Sequence, residues 1–592
     1  MIYKHLQLQV ADEFHTLALR MNAFGPSTSF TYRLKKLRVR RATRMHVNKI
    51  FIKNFKGIRE EYFDFNKDIN ILVGDNESGK STILEAIELC LNLRHRGKPL
   101  STCLSADLFN ADAVSRFLAG PKDQGSFPEI LIEAYLEGNN DIKGNNNTLG
   151  LNCPGIFVRI FFDPDLASAY LEYAKKPEDI LSLPIEFYRV EWYAFSWDKL
   201  TPYNKKISCL FVDPTALHPT MGARRYISDI LENALEREDK TLLNTNYRQL
   251  KKKFDAEPDV VKINSELDKQ DDITGKNLEF SIESSPQTSW ENNLQLTLDS
   301  IPFAQIGKGE QHQVQMKLAL WKKSTAANVV MIEEPEIHLS HMNLVKLVKF
   351  IEDRHQGQQI FLTTHSSYVL NKLSFEKICL LADGYKRLHE IDPKTVKTLK
   401  RLPGFDTLRV VLSKNVILVE GPSDELILKK IYHKKVGKLP EEDGIDIIVV
   451  RGIGFKNFLN IAQHLGNAVH VVKDNDGDWQ KNIIDWKSPY DEYGFIKVFS
   501  PESAQENSLE PAFIYANSGS QTKLDAYAKV ALSSQTYSNY DNGDLVARQA
   551  FLTDWFSGEG TGGRKVDSAM RIFESDDELV APNYLIEALR FD

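Results

Sequence analysis

The sequence predicts an α/β protein, because short apolar runs with strand character repeatedly deliver polar loops straight into amphipathic helices. Residues 69–73 lead through a glycine-rich loop into a helical pattern over 83–93. Residues 415–419 lead through Glu420-Gly421-Pro422-Ser423-Asp424 into a helix over 425–432. Two further buried-strand runs deliver acids, 329–332 directly at Glu333 and 468–472 at Asp474 after Lys473, the arrangement that lines a crevice at the carboxyl edge of a parallel sheet.

The chain has 592 residues, 42% apolar and 26% charged. At about 100–200 residues per domain this is room for about three to five domains, each able to bury a core. The 74 Lys and Arg residues face 81 Asp and Glu, a net charge of −7. That balance excludes a generic basic nucleic-acid coat, though not a local basic face. Cys90, Cys103, Cys153, Cys209 and Cys379 are scattered, with no CxxC pair, which argues against a disulfide framework or a zinc knuckle. No apolar run is long enough to span a bilayer, so a soluble, cytoplasmic protein is expected.

Residues 1–44 carry the run Arg33-Leu34-Lys35-Lys36-Leu37-Arg38-Val39-Arg40-Arg41 and read as a basic, poorly ordered leader. A strand over 47–52 follows, then the 69–73 strand and Gly74-Asp75-Asn76-Glu77-Ser78-Gly79-Lys80-Ser81-Thr82. This is GxxxxGK[ST] between a strand and a helix. Glycines let backbone N–H groups wrap phosphate oxygens at a helix N-terminus. Gly74, Asn76, Gly79, Lys80, Ser81 and Thr82 form the predicted nucleotide-binding set, with Lys80 reaching the β/γ-phosphates and Ser81 a Mg²⁺ ligand.

Downstream, the strand over 329–332 ends in Glu333-Glu334-Pro335-Glu336. Glu333 is assigned to Mg²⁺ and Glu334 to polarising the attacking water. A strand from 359 ends in Thr363-Thr364-His365-Ser366, which places His365 toward a γ-phosphate. Upstream, Ile306-Gly307-Lys308-Gly309-Glu310-Gln311 opens a helix over 313–321. Together these segments resemble the ABC-type ATPases of the DNA-repair and chromosome-maintenance branch, over about residues 45–384. The resemblance implies that Gly307, Gly309 and Gln311 of one head complete the nucleotide site of a second, so that ATP joins a homodimer. Gly307 stands where that class usually has serine. Strands near 130–135, 156–162, 185–197 and 206–212, then a charged helical stretch over 224–269 with Ile227, Ile230, Leu231 and Leu235 at helical spacing, read as an insertion between the halves. Its helical part is too short for a long coiled coil and suits a compact dimerisation element.

The second constellation begins with the 415–419 strand, followed by a strand over 445–450, a glycine turn at Gly452-Ile453-Gly454, and the 468–472 strand ending in Lys473-Asp474-Asn475-Asp476-Gly477-Asp478. Glu420, Asp424, Asp474 and Asp476 would face one crevice, and clustered carboxylates repel one another unless hard cations neutralise them, which suits Mg²⁺ or Mn²⁺. A calcium loop counted from Asp474 would put Trp479 at its sixth position, where glycine is needed, and Asp485 at its twelfth.

This hExxxD…DxD pattern resembles the Toprim fold, and ATPase plus Toprim in one chain resembles the OLD (overcoming lysogenisation defect) nucleases, including the Gabija nuclease. The resemblance implies a later acid, Glu506 or Glu510, and a lysine, Lys565, that stabilises charge on the scissile phosphate. The expected divisions are 1–44 leader, 45–221 N-terminal ATPase lobe, 222–275 dimerisation insertion, 276–405 C-terminal ATPase lobe and 412–592 Toprim domain. The expected activity is an ATP-regulated, divalent-metal-dependent DNA endonuclease in antiphage defence, with DNA, a second copy, and a helicase-like or reverse-transcriptase-associated protein as partners. Its rival is a non-cleaving ATP-driven clamp or scaffold. Basic stretches at 251–253, 394–401 and 429–438 are the candidate DNA contacts.

Overall fold

The computed structural model describes residues 45–592, except 203, 208, 213–236, 269–278, 283–295, 320–327, 355–356, 374, 382–383, 389–391, 402–406, 452–453, 541–542, 558–561 and 592. The basic leader, Ile227, Ile230, Leu231, Leu235, Trp321 and the first two residues of the Gly452–Gly454 turn lie outside the described residues.

Three sheets organise the chain. The first is antiparallel and uses β1 (His46–Phe55), β2 (Ile58–Asp64), β4 (Ile130–Glu137), β5 (Cys153–Phe162) and β6 (Tyr188–Ala194), in the order β2-β1-β4-β5 with β6 also on β5. Strands read from the sequence as part of an insertion are therefore integral to the first lobe: β4 pairs directly with β1, Ile50 opposite Ala134 and Ile52 opposite Ile132. The reading of 185–197 as one strand is also corrected. Residues Ile185–Phe187 form a single 3-10 turn, and the strand stops at Ala194, where Trp197 turns back to donate its N–H to the Ala194 carbonyl at 2.9 Å.

The second sheet is the ATPase core. Between β3 (Ile69–Gly74) and the rest of it lie well over a hundred residues of chain. β7 (Cys209–Val212), β8 (Val329–Ile332), β9 (Gln359–Thr363), β10 (Ile378–Leu381) and β11 (Tyr385–Arg387) complete it, in the order β7-β8-β9-β3-β10-β11. All neighbours run parallel except the β10–β11 pair. Both faces are buried, as a parallel sheet requires. Alternation divides each strand between two cores: Ile71, Val73, Val330, Ile332, Ile360 and Leu362 point to one, and Leu72, Val329, Met331 and Phe361 to the other.

Helix α1 (Lys80–Asn92) follows β3; α2 (Arg237–Asp255) and α3 (Pro258–Asp268) form the described part of the helical insertion; and α4 (Lys308–Ala319) and α5 (His341–Arg354) flank β8. A short α6 (Thr407–Leu412) leads into the third sheet.

That sheet is fully parallel, in the order β13-β12-β14-β15, from β12 (Asn415–Val419), β13 (Ile445–Val449), β14 (Ala468–Val472) and β15 (Ile496–Phe499). One face, with Ile417 and Val419, packs on α7 (Pro422–Val436), α9 (Leu509–Asn517), α10 (Gln521–Ala531), α11 (Leu545–Phe556), α12 (Gly562–Glu574) and α13 (Asn583–Ala588). The other, with Val416, Leu418, Val469 and Val471, packs on α8 (Phe455–Leu465) and belongs to the same hydrophobic core as Ile71, Val330 and Leu362. The ATPase and the C-terminal module thus share one apolar core. Among the described residues, no helix is long and apolar enough to cross a membrane.

Candidate functional site

Two sites form, each at the carboxyl ends of parallel strands. At the first, the β3–α1 loop wraps on itself. Gly79 takes the left-handed conformation at φ 95° and caps α1, and its carbonyl accepts the Ile83 N–H at 3.0 Å. Gly74 has no room for a side chain, since a Cβ there would lie 2.5 Å from Ser78 Oγ and 2.6 Å from the Leu381 carbonyl. Asn76 is exposed on the loop, and Ser81 and Thr82 follow Lys80 in the first turn of α1. Lys80 is buried, its ammonium donating to the carbonyls of Gly74 at 2.8 Å and Asp75 at 2.7 Å. Burial pushes its pKa below the usual lysine range, against the attraction of Glu334, Asp75 and Glu333.

The downstream segments close on this loop. Ser81 Oγ donates to Glu333 Oε1, so the two predicted Mg²⁺ ligands contact each other across the β3–β8 gap. Glu334 sits at φ 38°, with its N–H donating to Thr363 Oγ1 at 3.0 Å and its carboxylate 3.6 Å from His365 Nε2. Glu336, which sequence reasoning left without a role, is half-buried. It accepts from Thr364 Oγ1 at 2.9 Å and from the His365 N–H at 2.6 Å, and so sets the backbone that carries His365. Desolvation raises its pKa. The only sequence signal for it was a third acid in Glu333-Glu334-Pro335-Glu336.

The predicted signature segment stands apart. Gly307 precedes α4 in open space, with nothing within 4 Å of where a Cβ would be. Gly309 is packed, a Cβ there meeting the His338 carbonyl at 2.5 Å, and Gln311 donates to the carbonyls of Phe303 and Ile306 at 2.8 and 3.2 Å. Among the described residues, no hydrogen bond joins Gly307, Gly309 or Gln311 to the loop of Gly74–Thr82 in the same chain.

At the second site, β12 delivers Glu420, the first turn of α7 carries Asp424, and β14 delivers Asp474 and Asp476. Asp424 accepts the Gly421 N–H at 3.0 Å, satisfying an orphan donor at the start of α7. Burial, then the nearby charges of Glu510 and Glu420, push Asp424 up to about 7. Asp474 rises to about 8, first through burial and then through Asp424, Glu420, Glu510 and Asp476. Burial also raises Glu420, with Lys473 opposing it. Asp476 is exposed at φ 48°, where its backbone N–H donates to the Asn507 carbonyl at 3.2 Å.

Of the two candidate later acids, Glu510 lies buried in the first turn of α9 and pairs with Lys565 Nζ of α12 at 2.9 Å. Glu506 ends a single 3-10 turn and is only half-buried. Sequence reasoning missed Tyr584 on α13, whose buried hydroxyl has no hydrogen-bond partner. Burial and then Asp474, Asp424, Glu510 and Glu506 raise its pKa far above the ordinary phenol range.

The predicted metal set is therefore gathered but not assembled. Among the described residues, no three His, Cys, Asp or Glu side chains are grouped so as to hold an ion. The physical reason is that Glu510 is engaged by Lys565, Glu420 by Lys473 at 3.7 Å, and Asp424 by a backbone N–H. The donor set still fits a hard divalent cation, since several carboxyl groups share a space in which they suppress one another's ionisation.

The first site faces the end of the third sheet opposite the carboxylates, since Lys414 and Asn467 immediately precede β12 and β14. A cleft of about 370 Å³ has Asp75–Ser78 as one wall and Val411–Lys414, Leu465 and Asn467 as the other, and Lys386 Nζ donates to the Leu465 carbonyl at 3.0 Å across it.

Comparison with known proteins agrees with this division. The model of the overcoming lysogenization defect protein-like TOPRIM domain matches residues 411–476, and the AAA ATPase domain model matches 45–153. An AAA domain model associated with the AbiEii toxin of Type IV TA systems matches 297–371. The chain is 24% identical to the Retron Ec83 probable ATPase of Escherichia coli, over 58% of this chain and 72% of that protein. It is 23% identical to Endonuclease GajA of Bacillus cereus (strain VD045), over 47% of this chain and 49% of the relative. It is 31% identical to the DNA replication and repair protein RecF of Caldanaerobacter subterraneus, over 20% of this chain and 33% of that protein. The chain thus spans about half of the endonuclease and a third of the RecF relative. An ATPase region and an OLD-like TOPRIM region lie in one chain, as the motifs indicated.

Proposed function

We propose that this chain, an ABC-type ATPase head joined to an OLD-like TOPRIM domain, is an ATP-regulated, divalent-metal-dependent DNA endonuclease of antiphage defence. The observation that carries the reading is the second site. Glu420, Asp424, Asp474 and Glu510 converge at the ends of β12, α7, β14 and α9, with the charge of one raising the pKa of the next and Lys565 beside them. Glu420, Asp424, Asp474 and Glu510, with Asp476 at the rim, would hold Mg²⁺ or Mn²⁺. Such ions supply an activated water and stabilise the leaving oxygen of a phosphodiester. Lys565 is placed to meet negative charge developing on the phosphate.

At the head, Lys80 and the loop amides would bind the triphosphate, Ser81 and Glu333 would hold its Mg²⁺, and Glu334, with His365 beside it, would orient water at the γ-phosphate. Gly307, Gly309 and Gln311, with no hydrogen bond to the Gly74–Thr82 loop of their own chain among the described residues, act on the head of a second copy. The exposed Leu242, Leu250 and Phe254 of α2 and Val261 and Ile263 of α3 support a dimer through the helical insertion. The cleft between the phosphate loop and β12 supports nucleotide control of the distant carboxylates.

The test is supercoiled plasmid with Mg²⁺ or Mn²⁺, with and without ATP. Wild type should nick it, and Asp474→Ala should lose about a hundredfold or more of the rate while keeping nucleotide binding. Equal nicking by both proteins, or none by wild type, sinks the reading. The likeness to a retron ATPase favours a second reading, a scaffold for a separate effector; DNA-stimulated ATP hydrolysis without cleavage would select it.

A further inference from the structure

We infer that Lys473 is a built-in cation of the TOPRIM site, a positioning residue that holds Glu420 in the metal-free protein and must withdraw for the second of two divalent ions to bind. The inference rests on the metal-dependent reading above.

Lys473 is the first residue past β14, immediately before Asp474, and its side chain is only 14% exposed. An ammonium at that depth needs partners. Its Nζ lies 3.7 Å from Glu420 Oε1 and donates to the Asp474 carbonyl at 3.1 Å. The backbone holds the side chain there, because the Lys473 N–H donates to the Phe499 carbonyl at 3.1 Å, extending the β14–β15 ladder by one residue. The ammonium thus sits between the ends of β12 and β14, against the oxygens a cation would use.

Lys565 does the equivalent for Glu510 from the other side, at 2.9 Å. Of the carboxylates delivered to the crevice, Glu510 and Glu420 each lie beside a lysine, which leaves Asp424 and Asp474, with Asp476 at the rim, open to a first ion. An ammonium cannot ligate a metal, and a like charge a few ångströms from a ligand oxygen repels an incoming cation. The site is therefore primed for one ion and closed to a second by this chain's own lysine. DNA supplies the means to open it, since a phosphate entering the crevice offers the ammonium a new anionic partner and frees Glu420.

Isothermal titration of Mn²⁺ into the full-length protein without DNA tests this. Lys473→Met should bind Mn²⁺ about tenfold more tightly than wild type, or take up a second equivalent that wild type does not. Lys481→Met, at an exposed lysine in the helical turn Gln480–Asp485 that follows, should shift the affinity less than about twofold, because an exposed charge is screened. Lys473→Gln repeats the test if the methionine variant folds poorly by circular dichroism. Unchanged or weaker Mn²⁺ binding in folded Lys473 variants, with binding abolished by Asp474→Ala, overturns the inference and leaves the nuclease reading standing. Wild-type binding by Asp474→Ala overturns both.

Discussion

The two sites are built on the same plan, acids and lysines at the carboxyl ends of parallel strands, yet they differ in how their charges are satisfied. At the phosphate loop Lys80, Ser81 and His365 each have a local partner. Lys80 is held by two carbonyls of its own loop, Ser81 by Glu333, and His365 lies beside Glu334. At the TOPRIM site the carboxylates outnumber the lysines, and the excess appears as carboxyl groups that hold protons near neutrality. The ATPase site is pre-organised by backbone geometry. The TOPRIM site is left in an electrostatic conflict that bound protons relieve and that an added cation would relieve in their place, and that separates a site held by its own backbone from one open to exchange.

The contrast can be broken in several ways. The largest effect is expected at Lys80. Lys80→Ala should weaken ATP binding by about a hundredfold, measured by fluorescent-nucleotide titration, because it removes the charge-assisted contacts to phosphate. Mn²⁺ binding at the TOPRIM site should be unchanged in that variant without nucleotide; a parallel loss would show that the sites are not separately organised.

Next in size is the pH dependence of metal binding. The folded-state pKa of Asp474, about 8, and of Asp424, about 7, both lie above the ordinary 3.8. Raised carboxyl pKa values mean that the stability of the metal-free fold is fully present below the unfolded value and is lost as pH climbs through about 7 to about 8. A cation would displace those protons, so Mn²⁺ affinity should rise by up to about tenfold per pH unit for each proton displaced below that range and flatten above it. A flat titration across the range would remove the supposed conflict.

A smaller difference separates two glycines. Gly74→Ala should destabilise the head by about 1–3 kcal/mol in denaturant melts, since its Cβ meets a backbone carbonyl at 2.6 Å. Gly307→Ser should be within about 0.5 kcal/mol of wild type, having open space around it. The smallest effect is expected at Tyr584. Its hydroxyl is buried without a partner, so Tyr584→Phe should be neutral or stabilise by up to about 1 kcal/mol in thermal melts. A clear loss of stability would reveal a partner for that hydroxyl.

Much of both sites was legible because strand, loop and helix are contiguous in the chain. The Gly74–Thr82 loop, the Glu333-Glu334 pair and the strands ending at Val419 and Val472 are local patterns with known chemistry. What was not legible depends on distances between remote segments. Glu506 and Glu510 are four residues apart and chemically alike; only the burial of the first turn of α9 beside α12 separates them. Glu336 and Tyr584 have no motif, and their roles come from which atoms packing brings to them. The strands β4, β5 and β6 were visible and fell within the expected 45–221 lobe, but the ladder that ties β6 to β5, β5 to β4 and β4 to β1 was not.

The hydrophobic core shared between the modules has a consequence for how such a protein can be cut or recombined. Val416, Leu418, Phe458 and Val469 of the TOPRIM module and Ile71, Val330 and Leu362 of the ATPase belong to one apolar cluster. The joint near residue 412 is a weld rather than a hinge pin. A TOPRIM module excised there would carry a bare oily face into water, and one grafted onto a foreign ATPase would need a matching face to receive it. Chimeras should therefore be spliced inside the helical insertion, where α2 and α3 meet solvent, and not at the boundary that the motifs suggest.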